Sequence, residues 1–144
     1  MIFQRLNRED AEKAFMIVQN VAGATITAGY SVVWDTSAPD GVRVTKAATA
    51  TLSLFCGVAD SDIADQAYGL IQVFGYRSAA FVINGVTAIA AGNILIPENN
   101  AWSVAYNAAS DGKTGFIYAG EAVTSVTQTT LSTAANKKVF IRAM

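Results

Sequence analysis

Short β-prone runs separated by turn-forming residues fill the chain from Phe15 onward, and they constrain its fold more than any other feature. Such runs, bounded by Gly, Asn, Asp or Ser, are typical of β-sandwiches and β-barrels. The predicted strands are residues 15–20, 31–34, 42–46, 52–58, 69–76, 79–83, 94–96, 102–106, 116–119, 123–129 and 138–142. We therefore predict an all-β fold, a small β-barrel or β-sandwich with at most one or two short helical turns.

The first residues differ from the rest of the chain. Residues 1–13 hold six charged side chains behind a short apolar tip of Ile2, Phe3 and Leu6. Asn7 is a suitable cap for a brief helix, but the β-prone run at 15–18 limits its length. We predict an N-terminal arm over residues 1–14 and, because 144 residues suit a single core, one β domain over residues 15–144.

Two local signals interrupt or connect the predicted strands. Residues 60–67 combine acidic residues with Ala and Gln, which predicts one helical turn with Asp62 as its cap. The Asn84-Gly85 dipeptide predicts a hairpin between residues 79–83 and 86–89, because both residues tolerate the positive φ angles of a type I′ turn.

A weak internal repeat relates residues 24–33 to residues 87–96. The two segments share three identities in ten, including an Ala-Gly pair, and residues 119–123 echo the middle of the pattern. Gly at this position predicts a tight bend before the next strand. Duplication and chance similarity in an Ala- and Gly-rich chain both remain open, whereas the shared bend is predicted in either case.

The residue types needed for common enzyme chemistry are scarce. The chain has no histidine, which excludes Ser-His-Asp and Cys-His catalysis and the usual metal ligand. Cys56 is the only cysteine, and its apolar neighbours predict a buried, inert thiol. No Gly-rich phosphate-binding motif occurs. We predict a protein that is not an enzyme and that needs no metal or cofactor.

Two sets of carboxylates are candidate sites. Glu98, Asp111 and Glu121 lie near predicted loops and could in principle pair as in glycosidases, but their spacing favours solvated turns. Asp60, Asp62 and Asp65 could in principle bind a hard cation such as calcium. They lack the EF-hand spacing, so capping and solvation are the favoured roles.

Charge and hydropathy bear on partners. Ten basic and eleven acidic side chains are scattered without a basic face, which argues against nucleic-acid binding. Neither a secretory signal nor an apolar stretch of about 20 residues is present, so we predict no membrane partner and synthesis in the cytoplasm. Hydrophobic residues make up 52% and charged residues 15%, which favours apolar surface that meets a protein partner. The alternative is that alanine raises the apolar fraction without forming such a surface.

The aromatic side chains could in principle form a carbohydrate-stacking surface. Most of them lie within strand patterns, which favours core or interface positions with a polar tip. They are Tyr30, Trp34, Tyr68, Tyr76, Trp102, Tyr106 and Tyr118.

Residues 55–60 and 63–76 resemble a sequence pattern that recurs in the capsid decoration, or cement, proteins of tailed bacteriophages. Residues 21–30 with Trp34-Asp35 show a similar resemblance. The resemblance implies a β-tulip-like protomer that forms a homotrimer on the outer capsid surface of the virion. There it would bind across neighbouring subunits of the major capsid protein and stabilise the shell.

The resemblance also implies a role for the N-terminal arm. An extended arm that adds a strand to a capsid subunit would comprise Met1, Ile2, Phe3, Gln4, Arg5 and Leu6. A trimer that engages several subunits needs only modest affinity at each contact. The alternative hypothesis is a phage fibre or spike, or another β module that binds a receptor or glycan.

Overall fold

The chain folds into β structure throughout the part that the computed structural model describes, which comprises residues 12–83, 88–106, 116–123 and 136–143. The strands in these ranges are β1 (Lys13–Asn20), β2 (Ser31–Trp34), β3 (Arg43–Thr45), β4 (Phe55–Ala59), β5 (Tyr68–Ile83), β6 (Ile94–Pro97), β7 (Val104–Tyr106), β8 (Ile117–Ala119) and β9 (Asn136–Arg142). One turn of 3₁₀ helix, Leu52–Leu54, precedes β4. The predicted all-β fold is confirmed.

The strand pairings close into two five-stranded barrels that share β5. Barrel 1 runs β1-β3-β2-β4-β5 and closes because β1 also pairs with the first half of β5. Barrel 2 runs β5-β7-β6-β8-β9 and closes because β9 pairs with β5 from Phe74 to Phe81. A 16-residue strand thus supplies the last strand of one barrel and the first strand of the other.

Each barrel has its own apolar interior. The interior of barrel 1 includes Val18, Ile26, Val44 and Ile71. The interior of barrel 2 includes Val82, Leu95, Val104, Ile117 and Ile141, and Phe55 and Val58 of β4 pack into the same cluster. Because β4 belongs to barrel 1, these two side chains join the barrels through apolar contact.

The two barrels are structural repeats of each other. Gly29 and Gly92 have φ angles of 89° and 88°, and their N–H groups donate to Ala59 O and Ala119 O, at 2.9 and 2.7 Å. An isolated bridge joins Ile26 to Ile63 in barrel 1, and another joins Ile89 to Val123 in barrel 2. The bend predicted from the weak sequence repeat is confirmed, and within the described residues 25–33 and 88–96 are equivalent in structure.

The register fixes further equivalences between the barrels. Val58 pairs with Gln72 in barrel 1 as Tyr118 pairs with Phe140 in barrel 2. Gln19 pairs with Tyr68 as Phe81 pairs with Asn136. Asp60 N–H donates to Leu70 O as Gly120 N–H donates to Lys138 O. Gly120 is therefore the equivalent of Asp60, and the echo at residues 119–123 is not a third copy of the Gly29 bend.

Several local predictions differ from the structure. The helical turn predicted at residues 60–67 is wrong, because Ile63 bridges Ile26 and the Asp62 and Asp65 carboxylates accept hydrogen bonds from the distant Ala28 and Gly23 N–H groups. Residues 69–76 and 79–83, predicted as two strands, form the single β5 with a register shift between Arg77 and Ala80. The Asn84-Gly85 hairpin lies outside the described residues.

Candidate interaction surface

Exposed apolar side chains form a continuous surface on the outside of barrel 1. Ile17 of β1 lies opposite Leu70 of β5, and they are flanked by Phe15 and Tyr68 on the same two strands. Val42 adjoins this ribbon, because Gln19 N–H donates to Val42 O. Ile17 and Tyr68 are 65% and 64% exposed. We call Phe15, Ile17, Val42, Tyr68 and Leu70 the barrel 1 patch.

The sequence of β1 explains how this patch arises. Successive side chains of a strand point to opposite faces, so Met16 and Val18 pack into barrel 1 while Phe15 and Ile17 face outward. A strand with one solvated face would carry polar residues at the outward positions. The apolar run from Phe15 to Val18 indicates instead that both faces of β1 pack against protein.

A second apolar surface lies on barrel 2 beside the junction of the two barrels. A groove of about 350 Å³ is lined by Phe74, Tyr76, Tyr118 and Phe140, together with Glu12 and Arg142. The rings of Tyr76 and Phe140 meet edge to face, with their centroids 5.6 Å apart. Phe140 is 52% exposed. We call this surface the barrel 2 groove.

The capsid-binding arm predicted from sequence, Met1 to Leu6, lies outside the described residues. The structure does show the position of Glu12, the first described residue after that segment. Glu12 lines the barrel 2 groove, and β1 begins at Lys13 opposite Gly75 of β5. The segment before Glu12 is thus attached at the rim of the groove, on the same strand that carries Phe15 and Ile17 of the barrel 1 patch.

Cys56 lies inside barrel 1, as the sequence predicted. It is 2% exposed and belongs to the apolar cluster with Val18 and Ile71. Burial raises the pKa of the Cys56 thiol, because the thiolate would lose its hydration. A protonated and inaccessible thiol is a poor nucleophile and a poor metal ligand.

The three acidic residues of the candidate cation site, Asp60, Asp62 and Asp65, have separate partners. Asp60 pairs with Arg77 at 3.1 Å, Asp62 accepts from Ala28 N–H at 2.8 Å, and Asp65 accepts from Gly23 N–H at 3.0 Å. Each carboxylate ties a loop of barrel 1 to a neighbouring segment. Within the described residues no group of three or more acidic or cysteine side chains is arranged to hold a metal ion.

Glu98 and Glu121, two of the candidate glycosidase carboxylates, are not close to each other in the described part of the chain. Glu98 follows β6 and accepts a hydrogen bond from Ser103 Oγ at 3.1 Å, whereas Glu121 follows β8 and accepts from Lys138 N–H at 2.8 Å. Since β6 and β8 are antiparallel, their final residues lie at opposite ends of barrel 2. Asp111 lies outside the described residues.

Aromatic side chains also fill the contact between the barrels. Tyr30 of barrel 1 stacks on Trp102 with centroids 5.4 Å apart, and it meets Phe81 edge to face at 5.1 Å. Tyr30 and Trp102 are therefore interface residues, as predicted for the aromatics. Tyr68 is not packed in this way. The sequence predicted a core or interface position for it as well, yet it is among the most exposed of the large hydrophobic residues.

Comparison with known proteins finds no family model and no curated protein that matches this chain. In the described part of the chain, no helix has the length and apolar character that crossing a membrane requires. The candidate interaction surface thus rests on the geometry alone.

It consists of the barrel 1 patch and the barrel 2 groove, which are both apolar and both lie beside the start of β1.

Proposed function

We propose that this chain is a non-enzymatic virion protein that decorates a tailed-phage capsid and stabilises its shell. It would bind as a homotrimer across neighbouring subunits of the major capsid protein on the outer surface of the virion. The observation that carries the proposal is the barrel 1 patch, where large apolar side chains stand exposed on a rigid strand pair. Surfaces of this kind mark protein-protein contact sites.

Three further features support a role in adhesion. The carboxylates of Asp60, Asp62 and Asp65 are engaged in joining loops of the fold, and the thiol of Cys56 is buried. The closed barrels have their strands paired on both sides, which suits a rigid body that keeps its shape under load. The arm from Met1 to Leu6 would add contacts to the capsid from the rim of the barrel 2 groove.

The arm is tested by deleting residues 1–11, which end before the first described contact of β1 with β5. Wild-type protein should co-sediment with purified expanded capsids of the phage that encodes it, in preference to unexpanded heads. The deletion variant should lose this binding while its circular dichroism spectrum and melting temperature stay unchanged. Full binding by the truncated protein would refute the role of the arm. Absence of binding by the wild-type protein would refute the decoration role.

The alternative function is that of a fibre, spike or other module that binds a receptor or glycan. The aromatic lining of the barrel 2 groove favours it, since exposed aromatic rings stack on sugar rings. A glycan array distinguishes the two functions. A specific hit that is lost in Phe140→Ala, together with no affinity for capsids, would establish the alternative instead.

A further inference from the structure

The equivalence of the two barrels shows which face of barrel 1 is covered by barrel 2 and which equivalent face of barrel 2 is left open by the described residues. We propose that copies of the chain associate head to tail, with barrel 1 of one copy docked on barrel 2 of the next. The contact would reproduce the one that barrel 2 makes with barrel 1 inside a single chain. This inference rests on the homotrimer of the proposed function and gives that trimer its interface.

Barrel 2 covers one face of barrel 1. Val58 and Gln72, register partners that point away from the barrel 1 interior, are 0% and 1% exposed because barrel 2 lies over them. The equivalent partners in barrel 2 are Tyr118 and Phe140, which line the open groove. The same position of the repeat is thus buried in one barrel and exposed in the other.

The two equivalent glycines report the same difference. A Cβ atom at Gly29 would lie 3.4 Å from Ala79 O and 3.4 Å from Asn136 Oδ1, both of which belong to barrel 2. A Cβ atom at Gly92 would meet nothing within 4 Å. The face of barrel 2 around Gly92, Tyr118 and Phe140 therefore has the same framework as the covered face of barrel 1, and within the described residues no second barrel lies over it.

The residues of barrel 2 that do the covering are known from their contacts. Ala79 and Asn136 approach Gly29, and Phe81 N–H donates to Gly29 O at 2.9 Å. Trp102 stacks on Tyr30, and its carbonyl oxygen accepts from Ser31 N–H. These residues lie along one side of barrel 2, on β5, at the start of β9 and just before β7.

Three of the four equivalent positions in barrel 1 carry residues of the barrel 1 patch, and the fourth, the equivalent of Phe81, is Gln19. The register makes Ile17 the equivalent of Ala79. Gln19–Tyr68 matches Phe81–Asn136 and Val18–Gly69 matches Ala80–Lys137, so Ile17 and Ala79 are the next residues back along their strands. Tyr68 is thus the equivalent of Asn136. Val42 is the equivalent of Trp102, since each lies two residues before the valine of its parallel partner strand, Val44 or Val104.

The repeat therefore accounts for both exposed apolar surfaces at once. The barrel 1 patch stands where barrel 2 has its covering residues, and the barrel 2 groove stands where barrel 1 is covered. The five residues of the patch are between 36% and 65% exposed, so the patch supplies a continuous apolar contribution to the roughly 800 Å² per partner that a stable interface buries. Because the two faces differ, the contact is heterologous, and a small number of copies can close it into a ring.

The test uses the purified full-length protein without capsids. Wild-type protein should form a closed oligomer in sedimentation velocity at concentrations up to the millimolar range. Ile17→Lys removes only the barrel 1 patch, and Phe140→Lys removes only the barrel 2 groove, so each variant alone should be monomeric. An equimolar mixture of the two should form a dimer, since each retains the face that the other lacks. Thr25→Lys, at an exposed position in neither face, is the matched control and should oligomerise like wild type.

The outcomes separate this interface from the capsid role. A monomeric wild type under all these conditions would overturn the head-to-tail contact. A mixture that stays monomeric while each variant keeps the wild-type melting temperature would overturn it as well. So would one variant that still oligomerises by itself, because a two-fold contact through one face alone is unaffected by a substitution in the other face. Capsid binding by a protein that fails these tests would leave the decoration role standing. Conversely, a head-to-tail oligomer without capsid affinity would remove the decoration role and keep the interface.

Discussion

Gly29 and Gly92 adopt the same left-handed bend in the two barrels, with φ angles of 89° and 88°, but only Gly29 is packed against a neighbouring barrel. Asn tolerates positive φ better than other non-glycine residues. We expect Gly29→Asn to lower the free energy of unfolding by about 1–3 kcal/mol more than Gly92→Asn, because the new side chain at 29 must displace Ala79 or Asn136. Urea denaturation followed by tryptophan fluorescence measures the difference. Equal losses would show that the barrels do not press together at Gly29.

Gly75 lies where β5 passes from barrel 1 to barrel 2, paired with Lys13 on one side and Ile141 on the other. Its φ angle is 99°, and a Cβ atom there would overlap the carbonyl oxygen of Glu12. We expect Gly75→Ala to destabilise the protein by about 3 kcal/mol or more, from backbone strain and from displacement of β1.

The matched control for Gly75 is Gly23→Ala. Gly23 also has a positive φ angle, of 74°, but a Cβ atom there meets nothing within 4 Å. The control should therefore show the backbone strain alone, about 1–2 kcal/mol. Denaturation of both variants measures these losses, and hydrogen exchange of the β1 amides shows whether β1 is released. Similar stability of the two variants would contradict the crowding at Gly75.

Arg77 joins the two barrels at the irregular part of β5. Its side chain is 11% exposed, and the guanidinium group donates to Ala59 O at 2.8 Å and Ala79 O at 2.8 Å while also pairing with Asp60. Lys cannot reproduce this forked set of donors. We expect Arg77→Lys to cost about 1–3 kcal/mol of stability in chemical denaturation. Arg43→Lys, in an exposed ion pair with Asp40, is the control and should leave the unfolding midpoint unchanged. A neutral effect of Arg77→Lys would mean that Arg77 does not hold the barrels together.

Asp40 gives a prediction for acidic pH. Arg43 Nε donates to Asp40 Oδ2 at 2.7 Å, and the Val42 and Arg43 N–H groups donate to Oδ1. The Arg43 side-chain hydrogen bond, with these backbone donors, lowers the pKa of Asp40 from 3.8 to about 2. Because the folded pKa is the lower one, the stability contributed by Asp40 is present above pH 3.8 and is lost as the pH falls through about 2.

The pKa of Asp40 is measured by following its side-chain carboxyl resonance in an NMR titration. Arg43→Gln should move the midpoint upward, toward the ordinary value, while the backbone donors keep part of the shift. The control is Ser37→Ala, which removes the side-chain hydrogen bond that lowers the pKa of Asp35. It should raise the pKa of Asp35 and leave that of Asp40 in place. An unchanged Asp40 midpoint in Arg43→Gln would contradict the assigned cause.

Local periodicity was sufficient to predict the β class and most strands. The bend at Gly29 and Gly92 was also visible, because an Ala-Gly pair before an aliphatic run depends on nearby residues alone. The turn at residues 60–67 was predicted wrongly for the opposite reason. Asp62 and Asp65 accept hydrogen bonds from residues 34 and 42 positions away, and tertiary partners of that kind override local helix signals.

The candidate surfaces depend on pairing that the sequence does not state. Tyr68 and Tyr30 are both aromatic residues beside a strand, yet one is exposed and the other is packed between the barrels. Tyr30 is packed and Tyr68 is exposed because both barrels share β5. The sequence did not indicate this shared strand, because the polar residues Arg77 and Ser78 suggested a break between two strands. One signal was available: the unbroken apolar run from Phe15 to Val18 in β1 leaves no face for water.

Since β5 belongs to both barrels, tension applied to one half of the molecule passes directly into the main chain of the other. No soft linker lies between the halves to stretch first. Along most of its length β5 is held by antiparallel neighbours, β1 on the first half and β9 on the second. Pulling along its axis must therefore shear many hydrogen bonds together rather than break them one by one. Such an arrangement resists extension under load, which is the mechanical property required of a protein that holds a strained surface together.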